Sequence, residues 1–179
     1  MLLAGGIVAY PTEGVWGLGC DPANPDAVGR LLALKRRNRN KGLVLLAADF
    51  KQLEPWIAPL DSVARARLEA TWPGPVTWIV PAAADCPAWI TGTRSTVAVR
   101  VSAHPVARDL ATAAGTAIVS TSANSSGEPP EPTAEAVLKR FGGALAGLLD
   151  GCLGGLAGPS EIRELAGGRV IRPAPGKTS

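Results

Sequence analysis

The sequence has few cysteines and no long apolar run. Cys20, Cys86 and Cys152 stand far apart among 179 residues, and this odd, unpaired set is typical of a reducing compartment rather than a disulfide framework or a cysteine metal site. No apolar run reaches the roughly 18 residues that cross a bilayer, and the first residues lack the basic stretch and cleavage site of a signal peptide. These absences predict a cytoplasmic protein without a membrane contact or a resident metal.

Histidine is also scarce, and His104 is the single one in the chain. It precedes Pro105 at a predicted helix start, where a histidine more commonly caps or packs than catalyses. No serine or cysteine motif accompanies it, so the sequence argues against a histidine-based triad and most hydrolase mechanisms. The Walker A loop and the Rossmann glycine pattern are missing too.

Net charge is small, at +3, and gives only a mild preference for anionic partners. The cations are nevertheless concentrated, because the segment RLLALKRRNRNK between residues 30 and 41 contains no acid. Its cations are Arg30, Lys35, Arg36, Arg37, Arg39 and Lys41. With 46% hydrophobic residues, the chain can bury about 70% of its unfolded surface as one domain.

Short β-rich runs alternate with amphipathic segments, which predicts one α/β domain over 1–179 with a twisted mixed sheet and flanking helices. Strands are predicted at 6–10, 42–47, 75–81, 95–102 and 116–124, and helices at 25–37, 62–71, 105–114 and 133–141. Residues 11–22 are predicted to be a glycine-rich loop, and 172–179 a frayed tail. Thr12 and Glu13 begin that loop at a strand end, where a ligand can lie close to the backbone.

Lys35 shares a stripe of the first predicted helix with apolar residues such as Leu31. An ammonium group on that stripe must leave water unless an anion or a pocket receives it. A basic helix end is usually a solvated face, and this interpretation suits Arg36 and Arg39. A phosphate site is the alternative, with Lys35 as a point charge and Arg37 as a bidentate fork.

Polar side chains also share faces of two predicted strands. Thr96 and Arg100 lie an even number of residues apart and therefore project from the same face. Ser120, Ser122 and Asn124 meet at the end of another strand, where α/β sheets bind ligands. A turn or capping role for Ser122 and Asn124 is the alternative that stays open.

Six segments in order carry a resemblance to a known family: AYPTEGVWGLGCDP, LKRRNRNKGLVLLAA, WPGPVTW, STVAVRVSAHP, STSANSSGEPP and GPSEIRE. The chain resembles the YrdC family in its short, single-domain bacterial TsaC form. The resemblance implies a YrdC-like fold with a ligand cleft on one sheet face. It also implies an L-threonylcarbamoyladenylate synthase, a nucleotidyltransferase that condenses L-threonine, bicarbonate or CO2, and ATP, with Mg2+ carried on the ATP.

The products implied by the resemblance are threonylcarbamoyl-AMP and pyrophosphate. Proteins that transfer the threonylcarbamoyl group to tRNA, beside the anticodon, are the implied recipients. The family's K-x-R signature matches Lys35 and Arg37, the implied catalytic and phosphate-binding pair, whose alanine variants are expected to lose turnover with folding intact. The implied ATP contacts are Lys35, Arg37, Lys41, Thr96, Ser122, Asn124 and Arg172. The implied L-threonine contacts are Thr12, Arg100 and Ser120.

The sequence departs from the family pattern at several places. Gly14 replaces the commoner threonine of PTET, Asn38 replaces a proline, and Leu46 stands where longer relatives carry histidine. The loop from Asn38 to Asn40 is therefore expected to be less rigid. Relatives also have a helix before the first strand, so either the start of this chain is misassigned or shortened, or the fold tolerates an uncovered sheet face.

Two other functions remain open from the sequence. A basic surface around residues 30 to 41 would suit a module that binds double-stranded RNA or tRNA through phosphates, without nucleotide turnover. The second open function is that of a carbamoyl-adenylate-forming enzyme of the same family with a different acceptor, although such enzymes usually carry extra domains. Salt-sensitive RNA affinity without nucleotide turnover would favour the RNA-binding module.

Overall fold

The computed structural model describes residues 1–176, which form one α/β unit. The strands are β1 Val8–Pro11, β2 Trp16–Gly19, β3 Val44–Ala47, β4 Val76–Pro81, β5 Thr96–Val101, β6 Ile118–Ser122, β7 Gly147–Leu148, β8 Glu161–Glu164 and β9 Val170–Arg172. The helices are α1 Pro25–Leu34, α2 Ser62–Glu69, α3 Ala88–Thr91, α4 Pro105–Ala114 and α5 Ala134–Phe141. Within these residues the strands form a nine-stranded sheet in the order β7-β1-β2-β6-β3-β5-β4-β8-β9. The pairs β1–β7, β3–β5 and β4–β8 are parallel and the others antiparallel, which confirms the predicted mixed sheet.

The helix starts follow from their capping residues. The side chain of Asn24 accepts hydrogen bonds from two backbone N–H groups of α1, and that of Thr133 accepts one from α5. The predicted end of the first helix at Arg37 is wrong, because α1 stops at Leu34. Arg36 adopts a left-handed φ of 50°, which breaks the helical path.

The predicted glycine-rich loop over residues 11–22 is also wrong in part, because β2 lies within it and forms a hairpin with β1. The ring of Tyr10 packs across this hairpin. A Cβ on Gly17 would lie 3.1 Å from the ring, and one on Gly19 would lie 2.9 Å from it. The two glycines therefore make room for an aromatic ring inside a strand pair, which is a role that glycine has in sheets as well as in turns.

The two faces of the sheet are covered differently. Side chains of α1, α2, α3 and α5 join a large core on one face, where Val97, Val99 and Val101 of β5 point. A smaller core lies on the opposite face, where α4 packs on Tyr10, Leu46 and other apolar side chains. Because α4 covers only part of that second face, the remainder is open, and the polar residues of β5 and β6 lie there.

The two ends of the chain correct further expectations. Both faces of β1 are buried, and Leu2 packs in the smaller core, so no face beside β1 is uncovered. Arg172 is the last residue of β9, so the expected frayed tail does not begin there. Residues 177–179 of that expectation lie outside the described residues. In the part of the chain that the structure describes, no helix is both long and apolar enough to cross a membrane.

The residues that depart from the family pattern have local roles in the fold. Backbone groups of the segment 154–158 pair with those of the β1–β2 turn, and a Cβ on Gly14 would lie 2.0 Å from the carbonyl oxygen of Gly158. The glycine at this position therefore allows the segment to cross the turn in direct contact. The side chain of Asn38 caps a single 3-10 turn by accepting from the N–H of Asn40 at 2.9 Å.

Candidate active site

Two adjoining cavities lie on the open part of the second sheet face. Cavity A is lined by residues of β2, β3, β5, β6, β8 and β9 and by the β1–β2 turn. Cavity B is lined by residues of β3, β4, β5, β8 and β9 and by α3 and the segments near it. The predicted residues in cavity A are Thr12, Arg37, Arg100, Ser120, Ser122 and Arg172. Those in cavity B are Arg37, Lys41 and Thr96. Arg37 lines both cavities and marks their junction.

Lys35 and Asn124 are predicted site residues that line neither cavity. Lys35 is buried, with 2% of its surface exposed, and its Nζ donates to the backbone carbonyl of Ser122 and, at 2.6 Å, to that of Asn124. The side-chain oxygen of Asn124 lies 3.4 Å from the same nitrogen and also accepts from the Ser122 hydroxyl. Lys35 of the K-x-R signature and Ser122 and Asn124 of the S-x-N signature are therefore in direct contact, because the lysine is hydrogen-bonded to the chain at the end of β6.

Burial lowers the pKa of Lys35 to about 8, and the positive charges of Arg37 and Arg140 add to this effect. An ammonium in this position depends on the oxygens around it, because an unpaired buried charge is costly. The carbonyl of Asn124 in turn depends on the ammonium for its hydrogen bond, and that of Ser122 accepts from the N–H of Asn124 as well. The sequence leaves open whether an anion or a pocket receives this lysine, and in the structure protein oxygens surround it.

Replacing Lys35 with alanine is expected to lower the free energy of unfolding as well as turnover, an effect that the sequence alone does not predict. The variant leaves the carbonyl oxygen of Asn124 without its donor and that of Ser122 with the N–H of Asn124 alone, at a cost of about 1–3 kcal/mol. Chemical unfolding of Lys35→Ala beside Lys139→Ala, which removes an exposed lysine from α5, measures this cost. Equal unfolding free energies for the two variants would contradict the role given to the Lys35 contacts.

Arg100 lies at the floor of cavity A and is paired with a buried carboxylate. Its Nη1 lies 3.3 Å from Oε2 of Glu13, and the two residues are 6% and 8% exposed. Thr96 and Arg100 share a face of β5 opposite the valines of the large core, which confirms the alternation predicted from the sequence. Among residues 1–176, the Nε of Arg100 finds no acceptor, so this guanidinium keeps hydrogen-bonding capacity for a ligand.

The carboxylate of Glu13 should make stability depend on pH. Burial by itself raises the pKa of Glu13, but Arg100 and the hydrogen bonds from Ser102 and Ala103 outweigh it, so the pKa lies below its ordinary value of 4.5. A carboxylate with a depressed folded pKa stabilises the protein above the unfolded pKa, and that contribution is lost as the pH falls through the folded pKa.

Unfolding free energy measured over a series of acidic pH values is therefore expected to fall more steeply in the wild type than in Glu13→Gln. The difference should be about 1.4 kcal/mol for each unit that separates the folded and unfolded pKa values. Parallel curves for the two proteins would show that Glu13 does not titrate with the predicted shift.

Three guanidinium groups give cavity A its positive charge. Arg37 donates to the carbonyl of Gly42 at 2.9 Å, and Arg172 donates to the carbonyl of Ser160 at 2.7 and 2.9 Å, so both are held in place by backbone. Burial lowers the pKa of Arg37, with a further contribution from Arg94, and burial and Arg100 lower that of Arg172. Groups that repel one another in this way are suited to bind an anion.

Sequence reasoning did not single out several residues of the site. The sequence predicts Glu13 at a strand end near a possible ligand, but its pairing with Arg100 depends on a contact between distant segments. Ser160 lies in the matched segment GPSEIRE and forms the backbone support for Arg172. Arg94 and Arg169 line cavity B, yet each is an isolated cation in the sequence with no pattern around it.

The fold and these cavities define an α/β protein with a cationic ligand cleft on one face of a mixed sheet. Comparison with known proteins identifies the family of this chain. A family model for Sua5, YciO and YrdC proteins, described as telomere recombination, matches residues 1–174. The chain belongs to the Sua5/YciO/YrdC family.

Relatives within the family match over nearly the whole chain. The threonylcarbamoyl-AMP synthase of Nitrosococcus oceani is 51% identical over 172 residues, which cover 96% of this chain and 93% of that protein. The threonylcarbamoyl-AMP synthase of Alkalilimnicola ehrlichii is 54% identical over 176 residues, with 96% and 90% coverage. The structure of P. abyssi Sua5 complexed with L-threonine superposes with a TM-score of 0.90 at 33% identity, and covers 97% of this chain. This chain spans about half of that Sua5, 52% of its length.

Proposed function

We propose that this protein is an L-threonylcarbamoyladenylate synthase, which condenses L-threonine, bicarbonate or CO2, and ATP to threonylcarbamoyl-AMP and pyrophosphate. The observation that carries the proposal is the shared position of Arg37 at the junction of cavities A and B. A reaction that joins a small carboxylate-bearing substrate to a nucleotide needs two adjoining pockets with a cation between them. The names of the two bacterial relatives, both above 50% identity, support it.

Cavity A is the proposed L-threonine pocket. Arg100 offers a guanidinium edge to the carboxylate, and the hydroxyl of Ser120 and the turn at Thr12 lie at the same wall. The Thr12 hydroxyl donates to the carbonyl of Val15 at 2.6 Å, which leaves its oxygen free to accept a hydrogen bond from a substrate. L-Threonine in the Sua5 complex supports the choice of this amino acid.

Cavity B is the proposed ATP pocket. Its lining combines apolar side chains, among them Ile79 and Ile90, with cations at Arg37, Lys41 and Arg94. Apolar walls suit a nucleoside, and cations suit its phosphates. Thr96 lies in the same lining, whereas Ser122 and Arg172 border cavity A. The ATP contacts proposed for Ser122 and Arg172 therefore fall on phosphates that reach the junction.

Lys35 and Asn124 have a less direct part in this proposal. Each N–H of the Lys35 ammonium has a protein oxygen near it, so a phosphate contact requires the ammonium to exchange one of those oxygens for a phosphate oxygen. Asn124 donates through its amide to the carbonyl of Glu128 at 2.6 Å and so secures the loop after β6. Both residues hold the end of β6 beside the junction, and the ammonium of Lys35 adds positive potential to it.

The reaction proceeds in two steps. The amine nitrogen of threonine forms a bond to the carbon of CO2 and releases a proton, which gives a carbamate. A carbamate oxygen then attacks the α-phosphorus of ATP, and the bond from that phosphorus to the bridging oxygen breaks, which expels pyrophosphate. Two anions must meet in the second step, and Arg37 and Arg172 neutralise them where cavities A and B join.

Mg2+ enters this proposal as part of the MgATP substrate. Within residues 1–176 no group of three or more metal-binding side chains comes together, and Glu13 already accepts hydrogen bonds and faces Arg100. The residues therefore do not fit a resident ion held by the protein. Phosphate oxygens of ATP are suitable ligands for Mg2+ and would carry it into the cleft.

The remaining partners follow from the product. Threonylcarbamoyl-AMP is an activated mixed anhydride, so we propose that it passes to proteins that transfer its acyl group to tRNA in the cytoplasm. A direct contact with tRNA through the cations around residues 36 to 41 is part of the same proposal, since exposed Arg36 and Arg39 lie outside both cavities.

Pyrophosphate release from ATP tests the function, with bicarbonate present and L-threonine compared with L-serine and with no amino acid. Release that depends on threonine supports the synthase. ATP binding without release would contradict it, and salt-sensitive RNA binding without ATP binding would favour the RNA-binding alternative.

A further inference from the structure

Glu13 is a buried carboxylate beside cavity A that has no part in the reaction described above. It lies in the turn between β1 and β2 and is 8% exposed. A buried carboxylate is costly unless it is paired and hydrogen-bonded, so its contacts indicate what it does.

Each oxygen of Glu13 has a separate contact. Oε1 accepts hydrogen bonds from the Ser102 hydroxyl at 2.8 Å and from the backbone N–H of Ala103 at 2.9 Å. The hydroxyl of Ser102 also accepts from the backbone N–H of His104 at 3.2 Å. Oε2 faces Nη1 of Arg100 at 3.3 Å and finds no hydrogen-bond partner among the described residues. One oxygen is therefore tied to the backbone after β5, and the other faces a side chain of β5.

This arrangement determines which way the Arg100 guanidinium points. Arg100 has a long side chain beside two other guanidinium groups in the same cavity, Arg37 and Arg172. Repulsion between Arg100 and Arg172, which contributes to the lowered pKa of Arg172, favours turning Arg100 away from the cavity. The carboxylate of Glu13 opposes this by neutralising one edge of the guanidinium and leaving the other edges for a ligand.

We propose that Glu13 is a positioning residue that orients Arg100 to receive the carboxylate of L-threonine, with Ser102 holding Glu13 in turn. This inference rests on the proposed function, because it assigns L-threonine to cavity A. It differs from a purely structural role in a measurable way. A structural carboxylate would affect stability alone, whereas a positioning carboxylate affects the recognition of one functional group of one substrate.

The test compares Glu13→Gln with Glu161→Gln. Glu161 is a matched control, because it is also buried, at 7% exposure, and also paired with an arginine, Arg163, but lines neither cavity. In Glu13→Gln we expect the KM for L-threonine to rise about tenfold or more, with the KM for ATP and kcat within about threefold of the wild type. Glu161→Gln should leave both KM values unchanged. Ser102→Ala should shift the KM for L-threonine in the same direction by less.

L-Threoninamide, which lacks the negative charge of the carboxylate, gives a second readout. The wild type should favour L-threonine over the amide strongly, and Glu13→Gln should lose most of that preference. An unchanged preference, or an equal rise of both KM values, would overturn the proposal.

Calorimetric titration with L-threonine separates this proposal from the proposed function. A wild type that binds L-threonine but releases no pyrophosphate would overturn the synthase, and weaker binding by Glu13→Gln would still support the positioning role. A wild type that binds no L-threonine would overturn both.

Discussion

Replacing Arg37 with alanine is expected to reduce pyrophosphate release by about a hundredfold to a thousandfold, without a large change in stability. Arg37 lines both cavities and therefore lies where the carbamate meets the α-phosphate. Its Nε is buried and has no acceptor within residues 1–176, so the guanidinium keeps a donor for a substrate oxygen. Charge that develops between two anions is stabilised most strongly by a cation that is already in place and shielded from water.

The control for this variant is Arg39→Ala. Arg39 belongs to the same basic segment, is exposed and lines neither cavity. Its replacement by alanine changes the net charge of the protein by the same amount as Arg37→Ala. Arg39→Ala should retain near-normal turnover. Arg37→Lys should fall between the two, because lysine keeps the charge but lacks the planar fork. Near-normal pyrophosphate release from Arg37→Ala would remove Arg37 from the reaction.

Replacing Arg100 with alanine is expected to raise the KM for L-threonine about a hundredfold while the KM for ATP changes little. Arg100 is the guanidinium proposed to bind the threonine carboxylate, and loss of a charged hydrogen-bonding partner in a buried site is costly for the ligand that uses it. An equal rise in the two KM values would place Arg100 outside the amino-acid pocket.

Stability must be separated from binding in this variant, because Arg100→Ala leaves Glu13 buried without its partner. Breaking a buried pair costs about 3–5 kcal/mol. The double variant Glu13→Gln with Arg100→Met removes both charges and should recover much of the lost stability. It should not recover L-threonine binding. Recovery of binding in the double variant would show that Arg100 acts through stability alone.

Local chemistry made several elements predictable. The helix starts predicted at residues 25, 105 and 133 are found at Pro25, Pro105 and Ala134. Prolines and polar caps mark such starts because they avoid or satisfy the free N–H groups there. The alternation in β5 assigned Arg100 to the face opposite the large core, since side chains of a strand alternate between faces. Such inferences involve residues close together in the chain.

Other features could not be predicted because they depend on contacts between distant segments. The pattern around Gly17 indicates a loop, but the ring of Tyr10 across the hairpin makes it a strand. The sequence leaves open whether an anion or a pocket receives Lys35, and the chain at the end of β6 supplies the oxygens around it. The sequence places Glu13 near a possible ligand, but its contacts with Arg100 and Ser102 join the β1–β2 turn to a distant part of the chain at the end of β5.

The family resemblance, the α/β class and the polar residue types available for a site follow from the amino-acid order alone, because motifs, caps and strand alternation are local properties of the chain. The division of the second sheet face depends instead on how distant segments pack. The same face carries apolar side chains such as Ile118 under α4 and polar ones such as Ser120 in the open cleft, two residues further along β6. The packing position of α4 determines which side chains of this face lose contact with water and which can meet a ligand. That position depends on contacts between distant segments, so no single segment of the sequence specifies it.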